Sequence, residues 1–209
     1  MGSKQGFYSI QAETVAELTV KGSKFIAHAS PAATKTMAEN YVSTITHKFQ
    51  DATHNCFAYK IGEGDQSLFR FYDAAEPSGT AGRPILQAIE AKKLTNVVVV
   101  VTRYFGGTKL GTGGLIRAYH SAALAALQKA VIVKQYSQST VRLNFSYQHS
   151  NAVQQMLHKY RAQIIESDFK ERIDFLVKIK ALDESAFVNE LKDLTGGKIT
   201  IERLDDSEK

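Results

Sequence analysis

A change in apolar spacing over the last third of the chain limits the fold more than any other feature. Val141, Leu143 and Phe145 alternate with Arg142, Asn144 and Ser146, the period of two that a half-buried strand requires. Val153, Leu157 and Tyr160 then follow the wider spacing of a helical stripe. A short strand falls around Ile164 and Ile165, a turn near Lys170, and alternation returns through Ile173, Phe175, Val177, Ile179 and Ala181. Phe187, Leu191 and Leu194 mark a second helix, which Gly196 and Gly197 can end because glycine accepts left-handed backbone angles. Ile199 and Ile201 close the series. The order βαββαβ is the ferredoxin-like pattern, assigned to a C-terminal domain of residues 136–209.

Residues 1–135 read as a separate mixed domain, which makes the chain α+β. Strands are expected at 14–21, 24–29, 55–61, 67–72 and 96–102. Helices are expected at 34–49, where Met37, Tyr41, Ile45 and Phe49 recur every four residues, at 83–92 and at 114–134. The last is rich in Ala and Leu and apolar on several sides, as a helix packed on a sheet would be.

The longest β-branched run, Val97 to Val101, is far short of the roughly 20 apolar residues of a membrane span. The opening residues Met1-Gly2-Ser3-Lys4 lack the apolar core of a secretory signal, so none is expected, and the single Cys56 can make no intramolecular disulfide. These features lead to the expectation of a cytoplasmic protein with no membrane partner.

The chain holds 26 Lys/Arg against 21 Asp/Glu, and the excess is uneven. Residues 1–135 carry 15 cations against 9 anions, whereas residues 136–209 carry 11 against 12. A basic first domain suits phosphate or RNA as partner.

Three segments hold more glycine and polar punctuation than turns require. The first, Asp51-Ala52-Thr53-His54-Asn55-Cys56, enters a strand. The second, Asp73-Ala74-Ala75-Glu76-Pro77-Ser78-Gly79-Thr80-Ala81-Gly82-Arg83-Pro84, joins a strand to a helix. The third does the same after Val101 and holds Arg103, Tyr104, Phe105, Gly106, Gly107, Thr108, Lys109, Gly111, Thr112, Gly113 and Arg117. Its glycines expose backbone N–H groups, the following helix start adds partial positive charge, and its threonines and cations add donors, so an anion suits it. Tyr104 and Phe105 can stack on RNA bases or pack beneath the loop. The segment matches neither a P-loop nor a dinucleotide fingerprint.

The structural alternative is that the glycines only permit turns and that Arg103 pairs with Asp73 or Glu76 across neighbouring loops. Ser78, Gly79 and Thr80 read equally as binding groups or as a helix cap, with Thr80 or a neighbour accepting backbone donors. His54 and Cys56, two apart on a strand, share a face, as a thiol nucleophile and its base or two metal ligands would; a satisfied histidine and a small buried thiol are favoured instead. Asp51, His54, Asp73 and Glu76 have no diagnostic metal spacing, and neither metal nor cofactor is expected.

Taken together, Glu76 to Gly82 and Arg103 to Leu115 resemble the hallmark motifs of the YigZ/IMPACT family, in the proper order. Gly22-Ser23-Lys24-Phe25-Ile26-Ala27 and Thr53-His54-Asn55-Cys56 are also similar to that family. One departure stands out: the family has Asp-Asp-Gly-Glu where this chain has Asp73-Ala74-Ala75-Glu76, which removes a carboxylate and a turn glycine. The resemblance implies a first domain like the second domain of small-subunit ribosomal protein five and a ferredoxin-like second domain. It also implies translation regulation, with RNA or a ribosome-associated protein as partner.

The expected role is therefore non-enzymatic contact through the 103–117 loop, assisted by Arg83 and supported by His54, Asp73, Glu76, Ser78, Gly79 and Thr80. Two rivals remain. One is an enzyme or binder of phosphate-bearing small molecules using the same loop, and the other is a protein-binding regulator.

Overall fold

The computed structural model describes residues 6–64 and 67–204. The chain divides into two compact units, Phe7–Gln135 and a second that begins at Tyr136.

In the first unit, β2 (Thr14–Val20), β3 (Ser23–Pro31), β4 (His54–Ile61), β5 (Leu68–Tyr72) and β6 (Val97–Tyr104) form an antiparallel sheet in the order β2-β3-β6-β4-β5. The central strand β6 explains the unbroken valine run. Val97, Val99 and Val101 pack with α2 (Gly82–Ala91) and α3 (Thr112–Lys129), while Val98 and Val100 pack with α1 (Lys35–Lys48) on the opposite face. Both faces of the strand are covered, so no alternation with polar residues is needed.

Ala118, Ala122, Ala123 and Ala126 give α3 a smooth face that packs close to β2 and β3. In α1 the four-residue stripe drifts around the helix: Ile45 is buried, but Met37 is half exposed and Ala38 takes the core position. Thr34 caps this helix by accepting from the Met37 N–H.

Two boundaries differ from expectation. Strand β1 (Phe7–Ile10) pairs with β7 (Ile132–Gln135) in a separate two-stranded sheet, so the helix expected to reach 134 stops at Lys129. The β6 strand continues through Arg103 and Tyr104, which removes those two residues from the expected loop.

In the second unit, β8 (Gln138–Phe145), α4 (Ser150–Lys159), β9 (Gln163–Phe169), β10 (Ile173–Lys180), α5 (Glu184–Leu194) and β11 (Thr200–Leu204) follow in the βαββαβ order. The sheet order β11-β8-β10-β9, antiparallel throughout, is the ferredoxin-like topology. Val141, Leu143, Phe145, Ile173, Phe175, Val177 and Ile179 supply its core, with Val153, Leu157, Phe187 and Leu191 from the helices. The strand expected at Ile164 and Ile165 is the exposed edge strand β9, whose register shifts opposite Leu176 and Val177. Among the described residues, no helix is long and apolar enough to cross a membrane.

Candidate functional site

Arg103, near the end of β6, lies between Phe25 on β3 and His54 on β4 in the sheet register. The pleat therefore turns all three side chains to the face that carries α2 and α3. Arg103 is 5% exposed, and its Nη1 donates to Glu76 Oε1 at 2.5 Å. Its guanidinium carbon lies 5.6 Å from the ring centroids of both Phe25 and Phe105. The structural alternative for this residue thus holds, with Glu76 as the partner rather than Asp73. Arg103 sits beneath the surface, braced by a carboxylate and two rings.

The same Glu76 oxygen accepts from the Tyr119 hydroxyl at 2.7 Å and lies 3.7 Å from His54 Nε2. His54 Nδ1 is 2.8 Å from the Ala74 carbonyl, which can only accept, so Nδ1 carries the proton. Cys56 shares this face with His54, as the spacing predicts, and its thiol donates to the Asp73 carbonyl at 3.0 Å. Burial pushes the thiol pKa up to about 12; the negative charges of Glu76 and Asp73 add to the rise, and the Tyr119 hydroxyl partly offsets it. A thiol held protonated in this way is a poor nucleophile, so the structural reading of Cys56 stands. Among the described residues no group of three or more His, Cys, Asp or Glu side chains is placed to hold a metal.

The 73–76 turn shows what the two alanines do. Ala74 and Ala75 both have positive φ, 47° and 68°, and the Glu76 N–H closes the turn onto the Asp73 carbonyl at 2.9 Å. The chain keeps a turn that favours glycine while placing alanine in both central positions.

That turn aims the Asp73 carboxylate at the start of α2, where it accepts from the N–H groups of Gly79, Ala81 and Gly82 at 2.8, 3.0 and 2.8 Å. Asp73, not Thr80, is therefore the cap. Thr80 instead donates to the Pro77 carbonyl at 2.6 Å. Ser78 is exposed and Gly79 partly so, and the α2 start is already occupied by an internal anion.

The start of α3 is different. Gly111, φ 72°, stands at its N-cap with no side-chain acceptor, and no acidic residue lies in its first turn. Phe105, Gly106, Gly107, Thr108, Lys109, Gly111, Thr112, Gly113 and Arg117 are all exposed here, and Arg83 is exposed on α2. Among the described residues, Arg83, Lys109 and Arg117 form no ion pair. Tyr104 is partly buried, with its hydroxyl donating to Asp51 at 2.9 Å.

The glycines divide by role. A Cβ on Gly106 would lie 1.8 Å from the Gly22 carbonyl carbon, so Gly106 lets the β2–β3 hairpin tip press against the loop. Gly107 and Gly111 have positive φ and open space around them. Reading the sequence by motif missed Tyr119 and the role of Ser23, whose hydroxyl accepts from the Gly106 N–H at 3.1 Å. For Tyr119 a signal was available: a lone phenol on the Ala-rich face of α3 needs a buried hydrogen-bond partner.

A helix-flanked antiparallel sheet with this glycine-rich turn, followed by a ferredoxin-like unit, defines a two-domain α+β protein. Residues 21–127 match the Impact N-terminal domain, and residues 143–198 match a domain of unknown function, DUF1949. The chain is 32% identical to IMPACT family member YvyE of Bacillus subtilis, over 93% of this chain and 89% of that protein. It is 37% identical to an IMPACT family member of Thermus thermophilus, over 88% and 99%. Human Protein IMPACT is 34% identical over 97 residues, which are 45% of this chain and 30% of that one. A solved structure described as a hypothetical protein superposes with a TM-score of 0.74 at 26% identity, covering 97% of this chain and 98% of the other. The chain belongs to the IMPACT family.

Proposed function

We propose that the protein is a translation-associated regulator that binds structured RNA, in free or ribosomal form, through the exposed 105–117 surface of its first unit. The observation that carries this reading is the contrast between the two helix starts. At α2 backbone donors are taken by Asp73, whereas at α3 no side chain from Gly111 caps the start, and Thr112 and Gly113 are exposed, as are Lys109 and Arg117. An uncapped helix start beside unpaired cations attracts phosphate. Phe105, 48% exposed, adds a ring on which a base can stack. The basic excess of residues 1–135 extends the attraction beyond the loop.

Arg103 has a supporting role in this account. It anchors the loop from below, while Lys109, Arg117 and Arg83 meet the phosphates. No general acid, base or nucleophile is required of the Glu76 cluster.

Filter binding of a structured RNA tests the reading. Affinity is expected to fall steeply with salt, and Lys109→Gln and Arg117→Gln are each expected to lower the salt slope by about one unit or less. Binding that is absent at low salt, or unchanged in the double variant, would overturn it.

A further inference from the structure

A recess of about 320 Å³ opens between the end of β2 and the first turns of α3, at the lower end of the roughly 300–1,000 Å³ range of small-molecule sites. Its floor is aliphatic. Leu18, Val20 and Leu110 each pack one side against the main core yet remain only partly buried, and Ala118 completes the surface. Its rim is cationic. Lys21 and Arg117 line it, both are exposed, and among the described residues neither forms an ion pair. Among the described residues, no acidic side chain lines the recess.

Lys21 is held there by backbone geometry. It has φ 47° and Gly22 has φ 82°, so these two residues form the tight turn between β2 and β3, and the contact of Gly22 with Gly106 fixes that turn against the loop. Arg117 folds back toward its own helix start, its Nη1 lying 3.6 Å from the point where a Cβ on Gly113 would stand. Two cations at the rim of an aliphatic floor are the chemistry that recognises one end of a molecule by charge and the other by desolvation.

From this placement we infer that the recess binds a small amphipathic anion, a carboxylate or phosphate monoester on a short apolar body. The anionic head meets Lys21 and Arg117, and the body covers Leu18, Val20 and Leu110. The recess adjoins the proposed RNA surface and shares Leu110, Gly114 and Arg117 with it, and it stands whether or not RNA binds.

Titration of the isotope-labelled full chain with phenyl phosphate, phenylacetate and the uncharged 2-phenylethanol, followed by amide NMR, tests the inference. Saturable shifts are expected at Val20, Lys21, Leu110 and Ala118 with one or both anions, and whichever anion binds more tightly identifies the head group. Arg117→Gln is expected to weaken binding about tenfold or more. Lys21→Asn keeps a residue suited to positive φ and is expected to act in the same direction. Ser121→Trp, at an exposed helix position on the rim, is expected to abolish binding by filling the recess. Lys109→Gln, which weakens RNA binding in the account above, is expected to leave the titration unchanged. Equal binding of the alcohol, shifts confined to residues 111–113 that persist in Ser121→Trp, or no saturable shift with any probe would each overturn the proposal.

Discussion

Glu76 and Arg103 form a buried ion pair in which a single carboxylate oxygen accepts both the guanidinium, at 2.5 Å, and the Tyr119 hydroxyl, at 2.7 Å. The side chains are 3% and 6% exposed, so neither charge can turn to water if its partner is lost. Removing one charge should cost about 3–5 kcal/mol of folding stability. Glu76→Gln and Arg103→Met are each expected to lower the urea midpoint sharply, and the double variant to lose clearly less than the sum. Additive losses in that cycle would contradict the pairing.

The 73–76 turn carries strain that a single substitution can relieve. Ala75 sits at φ 68°, where an L-residue with a Cβ is disfavoured by about 1–2 kcal/mol and glycine is not. Ala75→Gly is expected to raise stability by about 0.5–1 kcal/mol once the greater flexibility of the unfolded glycine chain is counted. A fall in thermal midpoint would show that the turn is not strained as described.

Two adjacent glycines should respond differently to alanine. Gly106→Ala places a Cβ against the Gly22 backbone and is expected to cost about 3 kcal/mol, since neither backbone can yield without moving the hairpin. At Gly107 nothing lies within 4 Å, and Gly107→Ala should cost only the left-handed backbone penalty, about 1 kcal/mol. Equal losses would mean that the hairpin and loop do not press together.

A buried histidine gives the fold a dependence on acid. His28 is 3% exposed and lies against the Phe49 ring; among the described residues neither ring nitrogen has a hydrogen-bond partner, although Glu13 lies 3.6 Å from Nδ1. Burial lowers its pKa below the ordinary 6.5, with help from the charge of Lys48; Glu13 and Glu17 oppose the shift without reversing it. The unfolded chain therefore takes the proton first as pH falls. The stability associated with a neutral His28 is complete above about pH 6.5 and is lost as pH drops through the lower folded value. His28→Leu should flatten the stability profile over that window, as measured by urea unfolding at a series of pH values. An unchanged slope would contradict the assignment.

The second unit was legible in the sequence because its helices cover only one face of the sheet. Every strand that carries its core shows alternation, from Val141 to Phe145 and from Ile173 to Ile179. The first unit was harder to read, since Val97 to Val101 are buried on both faces and carry no period to interpret. The sheet of β1 and β7 was missed because four-residue strands paired across more than 120 positions leave no local mark. At the site, the segments were visible but their division of labour was not. Arg103 and Lys109 look alike in sequence, and only the tertiary approach of Glu76 separates a buried strut from an exposed cation. Asp73 likewise became a helix cap through a turn that two alanines do not advertise.

RNA is proposed to meet the 105–117 surface of the first unit. Ultraviolet cross-linking in cells, followed by identification of the attached RNA and of the cross-linked peptide, measures this directly. RNA adducts are expected on the peptide containing Phe105 and Lys109, reduced by Lys109→Gln with Arg117→Gln. Adducts confined to residues 136–204, or no RNA captured at all, would contradict it.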